Sequence, residues 1–460
     1  MINIVPANIL NFPMKEQDRF NDLLAIYNKH FTKNQIKERY YEGRVTLNEV
    51  NLGLALPDGI SGLEVGCAWG AKTVDVLAGL SMFDGFVGAN GADSEELNRL
   101  VIDNNLIGEY MKACRDELKY GCTFATLSAD SEIGCKIRFH SPQTAAAKWN
   151  GEKGRIDCGF AVIDSVQGVD GMWQPTLINY YTDDFVWVLR CNNGTWSAEG
   201  YQHQMRRPLM EALIWNATSS KPFGRSRIKE PVRRLIQGYV RTIANATIGL
   251  EFATSPQKYL LGITDEQYDA VINQKFKQYV GSIIASTVNP ETGDKPTFGQ
   301  LSQGNISPHV EMIRVLATQF SAATGLTVTD TGVVNDANPT SSDAILAQSK
   351  TLTGMAEQLN VGNGDALRVI AQMATAIKNG VSLDDLTDDQ REVIAHFKNP
   401  AMPSVAVTAD AAIKIASARA AFANTDTFLE MIGFSQADIR RIREQEQRAR
   451  GLALVTEIEE

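Results

Sequence analysis

Between Ile228 and Leu250, apolar residues fall at Ile228, Val232, Leu235, Tyr239, Ile243, Ala246 and Leu250. Steps of four and three are the period of one helix face. The pattern predicts one helix of roughly 25 residues, a rod of about 37 Å at 1.5 Å per residue. A small basic turn, Pro222 to Ile228, leads into it, and beyond Ser255-Pro256 the pattern changes to a short apolar strand, Tyr259-Leu260-Leu261. A second long helix is predicted from Ser307, which can cap it, with Pro308 in its first turn. Its stripe is Val310, Ile313, Ala317 and Phe320, and Gly325 is a natural stop. The intervening segment, about 255–304, reads as a short helix near 264–274, a strand near Ser282-Ile283-Ile284 and a Pro/Gly-rich return from Asn289 to Gly304. If its ends are close together, it sits at the tip of a two-helix stalk.

The rest of the chain reads as an α+β body. Residues 15–44 are predicted helical, with Phe20, Leu23, Leu24, Tyr27 and Phe31 on one face, and further helices are expected at about 69–82 and 93–118. From 121 to 205 the runs become β-rich: Thr123 to Leu127, Ile156 to Val162 and Phe185 to Leu189. Asn192-Asn193-Gly194 then predicts a hairpin turn. After a polar loop, Thr327 to Thr340, a helix is expected over about 341–379, interrupted near Asn360–Gly364 and leaving through Asp384-Asp385 and Asp388-Asp389. Residues 404–450 are again helical. There Ser435 and Asp438 resemble a capping box, and Ile439 and Ile442 are the anchors of a heavily charged run.

Composition narrows the function classes. The 460 residues allow two or three domains, and 44% hydrophobic with 21% charged residues is ordinary for a soluble globular protein. No apolar run approaches the roughly 18 residues of a membrane span. The first residues lack the basic-then-hydrophobic layout of a secretion signal, so a cytosolic origin is expected. None of the six cysteines is spaced as CxxC and the five histidines are scattered, so reduced thiols are expected and a zinc site is not. The formal net charge is −10, whereas gripping DNA along its length takes a large excess of Lys and Arg. One local exception stands out: from Lys221 to Leu250 there are seven Lys or Arg against one Glu, either a solvated face or an anion site.

At this point a resemblance enters. Pro222 to Ile228 (PFGRSRI) with the following helix, PQKYLLGI from Pro256, SPHVEMIRVLATQFSAATG from Ser307 and NPTSSDAI from Asn338 occur in an order and spacing that resemble the portal proteins of tailed double-stranded DNA bacteriophages, of the long-tailed type. Tyr40 to Gly43, Trp69 to Phe86, Ala409 to Lys414 and Gly433 to Ser435 add to the match, which covers most of the chain. The resemblance implies a non-enzymatic, cofactor-free structural protein with the α+β portal fold. It implies a wing over 1–221, a first stem helix over 222–254, a clip over 255–305, a second stem helix over 306–325 and a tunnel loop over 326–341. Wing helices over 342–400 and a helical crown over 401–460 complete the plan. It also implies a dodecameric ring at one capsid vertex of the virion, made in the host cytoplasm. That ring would conduct double-stranded DNA and would meet the terminase large subunit, the head–tail adaptor and the capsid and scaffolding proteins, with no membrane.

On that plan Thr329, Thr331, Asn335, Asp336 and Asn338 would face the bore. Small polar residues and an acidic balance suit sliding, because each neutralised phosphate adds affinity and friction. Arg225, Arg227, Arg233 and Arg234 would meet either carboxylates of a neighbouring subunit or phosphate.

A different class of function rests on Gly66-Cys67-Ala68-Trp69-Gly70-Ala71-Lys72-Thr73. The stretch imitates the glycine turn of S-adenosylmethionine-dependent enzymes and nearly spells a nucleotide phosphate loop. Trp69 crowds the close backbone approach that the first needs, and in the second Ala71 replaces the glycine before the lysine. A turn leading into the Trp69 helix is the expected role.

Overall fold

A computed structural model describes residues 9–46, 64–88, 95–168, 171, 173–254, 258–261, 293, 297–300, 305–333, 342–401, 405–434 and 436–459. Helix and sheet are mixed, as expected of an α+β chain. The chain forms two compact units, one of Met1–Glu42, Ala68–Arg233 and Thr324–Glu460, the other of Gly43–Cys67 and Arg234–Ala323.

In chain order the elements begin with β1 (Ile9–Leu10), α1 (Met14–Tyr41), β2 (Arg44–Thr46), β3 (Glu64–Gly66), α2 (Trp69–Leu80) and β4 (Phe83–Val87). The helix expected near 93–118 is two, α3 (Glu95–Asp103) and α4 (Leu106–Tyr120). Asn105, in the left-handed region at φ 47°, breaks them apart. Eight strands follow: β5 (Cys122–Asp130), β6 (Gly134–His140), β7 (Ala145–Asn150), β8 (Arg155–Gln167), β9 (Trp173–Tyr181), β10 (Phe185–Asn192), β11 (Thr195–Gln202) and β12 (Met210–Ile214).

Six strands form one sheet in the order β1-β11-β10-β9-β8-β7, antiparallel except for β1 on β11. Its hairpin turns at Asn193 and Gly194, both at positive φ, as the Asn-Gly signal requires. The predicted face of α1 covers this sheet: Phe20, Leu23, Leu24, Tyr27 and Phe31 share a core with Phe160, Ile178, Tyr180 and Leu189. Phe20 meets Phe160 and Tyr180 edge-on at 5.5 Å. A smaller sheet, β12-β5-β6, contacts α4 and the long helix of the C-terminal part. Five of the six cysteines are buried, and all six are free thiols.

The second unit carries the two predicted long helices. α5 (Glu230–Thr254) enters it at Arg234 and leads to β13 (Lys258–Leu261). β14 (Thr297–Gln300) pairs antiparallel with β13, and α6 (Ser307–Thr324) follows. The pairing Lys258↔Gln300 brings the two ends of the intervening segment together. The chain returns along α5, where the Leu316 side chain seats on Gly238; a Cβ there would come within 3.2 Å of it. The strand expected near Ser282 and the helix near 264–274 lie outside the described residues, and β14 stands in the run read as an irregular return. The α5 stripe is also rotated by one residue from the prediction. Past Val232 the buried apolar positions among the described residues are Ile236, Val240 and Ala244, while Leu250 is exposed. Each of Leu235-Ile236, Tyr239-Val240 and Ile243-Ala244 offers two adjacent apolar residues, and packing chooses the second.

Back in the first unit, α7 (Ser342–Asn379) runs unbroken for 38 residues where an interruption was expected near Asn360–Gly364. Then come the one-turn helix α8 (Asp388–Arg391), β15 (Ile394–Phe397) paired with β4, and three helices, α9 (Val405–Ala418), α10 (Asp426–Ile432) and α11 (Gln436–Glu459). Ile439 is buried as predicted, and Ser435 of the expected capping box lies outside the described residues. No described helix is long and apolar enough to cross a membrane.

Candidate functional site

The basic turn before α5 is fixed by backbone geometry. Gly224 has φ +67°, and a Cβ there would stand 2.1 Å from the Trp215 carbonyl oxygen, so no other residue fits. The Arg225 amide donates to Trp215 O at 3.0 Å and the Arg227 amide to Leu118 O at 2.9 Å. Phe223 packs edge-on against Phe124 and Trp149.

The four arginines of this turn and helix start face different surroundings. Arg225 and Arg234 are exposed. Arg233 is half-buried, its guanidinium carbon 5.9 Å from the Tyr40 ring centre, and its buried Nε has no hydrogen-bond partner among the described residues. Arg227 departs from the expectation of a contact with a neighbouring subunit or phosphate. It is 6% exposed and its guanidinium is used internally. Nε donates to Thr73 O at 2.6 Å, Nη2 to Thr324 O at 2.7 Å, and Nη1 approaches Met355 Sδ at 3.4 Å. One side chain thus ties α2, the last residue of α6 and α7. Burial pulls its pKa down to about 10, leaving it charged at neutral pH.

Of the predicted bore-facing residues, Thr329 and Thr331 lie in a single 3₁₀ turn closed by Gly332 at φ +82°. Asn335, Asp336 and Asn338 lie outside the described residues. The turn is self-bonded: the Thr327 amide and hydroxyl donate to Asp330 Oδ2 at 2.9 and 2.7 Å, and Thr331 Oγ1 donates to Val328 O. Thr329 is exposed and Thr331 half-buried. The indole Nε1 of Trp69 donates to Thr331 O at 3.1 Å. The tryptophan that spoiled the glycine motif therefore pins the base of this turn.

Gly66 to Thr73 runs from the end of β3 into α2, the predicted turn-to-helix role. A Cβ at Gly70 would fall 2.0 Å from Tyr40 O. The last turn of α1 thus occupies the space beside the first turn of α2, where a phosphate would need backbone access. Among the described residues, no group of three His, Cys, Asp or Glu is placed to hold a metal ion. At the acidic exit, Asp385 accepts from Ser382 and Thr387 caps α8 with Gln390 in a capping box.

A buried polar network escaped the sequence. Asn363 Nδ2 donates to Glu117 Oε2 at 2.8 Å and to the Tyr110 hydroxyl at 2.9 Å. That hydroxyl shares a 2.6 Å hydrogen bond with Ser81, which donates to Asn360 Oδ1. Burial pushes the Glu117 pKa up to about 8, so it is mostly a neutral acid at pH 7. The only signal available was the Asn360–Gly364 run itself, read as a break because Asn and Gly disfavour helix interiors.

No protein-family model matches this chain, and no curated protein does. Among solved structures, it is similar to a chain from the virion of a native gene transfer agent particle. That match has a TM-score of 0.46 at 12% identity, over 80% of this chain and 89% of that one. A chain from the neck of the empty particle, computed with C6 symmetry, gives 0.43 at 11%, over 81% and 89%. One from the neck of the native particle, computed with C12 symmetry, gives 0.41 at 12%, over 80% and 89%.

Proposed function

We propose that this protein is a phage-type portal subunit: one member of a homo-oligomeric ring at a capsid vertex, through which double-stranded DNA passes. The observation that carries the reading is a pair of long helices joined through a β pairing. α5 leads out to β13, β14 pairs with β13, and α6 returns with Leu316 against Gly238. Two long helices joined through a short antiparallel pair support the order of stem, clip and stem. The candidate loop supports it further, because its described part is a small, self-bonded polar turn anchored by Trp69. Such a turn presents hydroxyls and no cation, a surface suited to sliding. Arg225, Arg233 and Arg234 remain the candidates for contact with a neighbouring subunit or phosphate. The tip would meet the terminase large subunit and later the head–tail adaptor.

The competing reading, an S-adenosylmethionine- or nucleotide-dependent enzyme, needs open backbone at Gly66 to Thr73, and the Tyr40 carbonyl beside Gly70 opposes it. Native mass measurement with negative-stain microscopy separates the two. A ring of about twelve copies is expected; a monomer or dimer that binds one cofactor per chain would sink the portal reading. Deleting Asn335 to Asn338 should leave ring formation intact while particles package or retain DNA poorly. Normal filling and retention by that variant would remove the loop from the bore.

A further inference from the structure

The C-terminal half of α1 carries Lys29, Lys33 and Lys37 at successive four-residue steps, so they line one helix face about 6 Å apart. Lys29, His30 and Lys33 are exposed, and Lys37 is half-buried. None of the three lysines forms an ion pair among the described residues. Lys37 Nζ donates to Asn34 Oδ1 at 3.1 Å, and burial, with the nearby charges of Arg233 and Lys33, pulls its pKa down to about 8. Burial and the charges of Lys33, Lys37 and Lys29 hold His30 below the usual histidine range, which marks the same face as strongly positive.

Two nearby carboxylates do not offset it. Glu38 is held by Lys119, Tyr120 and Gln143, and Asp22, about two turns earlier, faces Lys148 at 3.6 Å. Lys37 Nζ donates to Tyr120 O at 2.9 Å, and the turn that carries exposed Arg225 lies against Gly121, the next residue. Arg233 closes this end, with its buried Nε unpartnered.

Like charges at i and i+4 destabilise a helix. Lys37 has an internal role in capping the Tyr120 carbonyl. Exposed Lys29 and Lys33 have none, so their unfavourable placement calls for an external anion. A row of flexible point charges suits evenly spaced phosphates, whereas carboxylate recognition favours the planar fork of arginine.

We infer that the exposed Lys29–Lys33 face of α1, with half-buried Lys37 and Arg233 adding positive charge behind it, is a sequence-independent binding surface for the phosphate backbone of duplex nucleic acid. It is a different element from the candidate bore turn, and it does not rest on the ring reading, because a single chain carries it. About two direct phosphate contacts, from Lys29 and Lys33, make the hold weak and salt-labile rather than a clamp.

The test uses the intact protein and a fluorescein-labelled 30-base-pair duplex of arbitrary sequence, followed by anisotropy from 50 to 200 mM NaCl. About two contacts give a log–log salt slope near −1.8, roughly a twelvefold loss of affinity over that range. The double variant Lys29→Gln/Lys33→Gln, both exposed positions, should bind at least tenfold more weakly and lose nearly all of that slope. Lys112→Gln, on α4, should bind as the native chain does. Circular dichroism checks that the variants stay folded. An unchanged affinity and slope in the double variant would overturn the inference. So would tight binding of polyglutamate without binding of the duplex, which would assign the face to an acidic protein instead.

Discussion

Replacing Arg227 with alanine is expected to lower the stability of the folded chain by about 4 kcal/mol, read as a fall in the denaturant midpoint at unchanged slope. The variant leaves the carbonyls of Thr73 and Thr324 buried without their donor and opens a cavity where the guanidinium lay beside Met355. Stranded buried acceptors cost about 1–3 kcal/mol each, and the lost packing adds to that. Relief of the buried charge works in the opposite direction, and two stranded acceptors plus a cavity outweigh it. Arg227→Lys keeps the charge but cannot reach both carbonyls at once, so it should recover only part of the loss. An alanine variant as stable as the native chain would mean that Arg227 does not hold α2, Thr324 and α7 together. Arg225→Ala, at an exposed position of the same turn, should change stability by less than about 0.5 kcal/mol.

The second large effect is a pH dependence centred on Glu117. Its pKa is raised from 4.5 to about 8 by burial, so the folded chain holds a proton that the unfolded chain releases at much lower pH. The stability it contributes is complete below about pH 4.5 and falls as pH rises to 8, by on the order of 4 kcal/mol across the window. Glu117→Gln keeps an oxygen for Asn363 to donate to and removes the titration. The variant should therefore match the native chain near pH 5 and be clearly more stable at pH 8. Native-minus-variant differences from urea denaturation at the two pH values isolate this group from Lys37 and His140, whose pKa values lie near 8 and 4. A difference that does not change with pH would show that Glu117 is ionised in the fold.

Much of the architecture was legible because it follows local periodicity. The α1 face, the Asn193-Gly194 hairpin and the Gly325 stop each rest on residues whose preference is satisfied by their own segment; Gly325 sits at φ +76° as a helix stop should. What failed depended on partners distant in sequence. The α5 stripe offered two adjacent apolar rows, and the seat of Leu316 on Gly238 belongs to a helix some eighty residues on. Asn363 looked like a helix breaker, yet it sits on the buried side of α7 because Glu117 and Tyr110, on α4, accept its amide hydrogens. The candidate site was legible in part. The basic turn and the polar loop were found as segments, but composition alone could not separate exposed Arg225 from buried Arg227, two residues away. The lysines of α1 were overlooked because they are spread over nine residues and gather only when the helix is wound.

The unbroken course of α7 has a mechanical consequence. At 1.5 Å per residue its 38 residues make a shaft of about 57 Å. Met355, beside Arg227, and Asn363, beside Glu117, are fixed to that shaft about 12 Å apart. A helix with no interrupted turn has no broken stretch of backbone at which to absorb a twist. Any torque applied where α7 begins, just past the candidate loop, is therefore delivered undivided to both buried polar clusters. The chain can respond to such a load only by turning α7 as a whole, with Arg227 and Glu117 as its bearings.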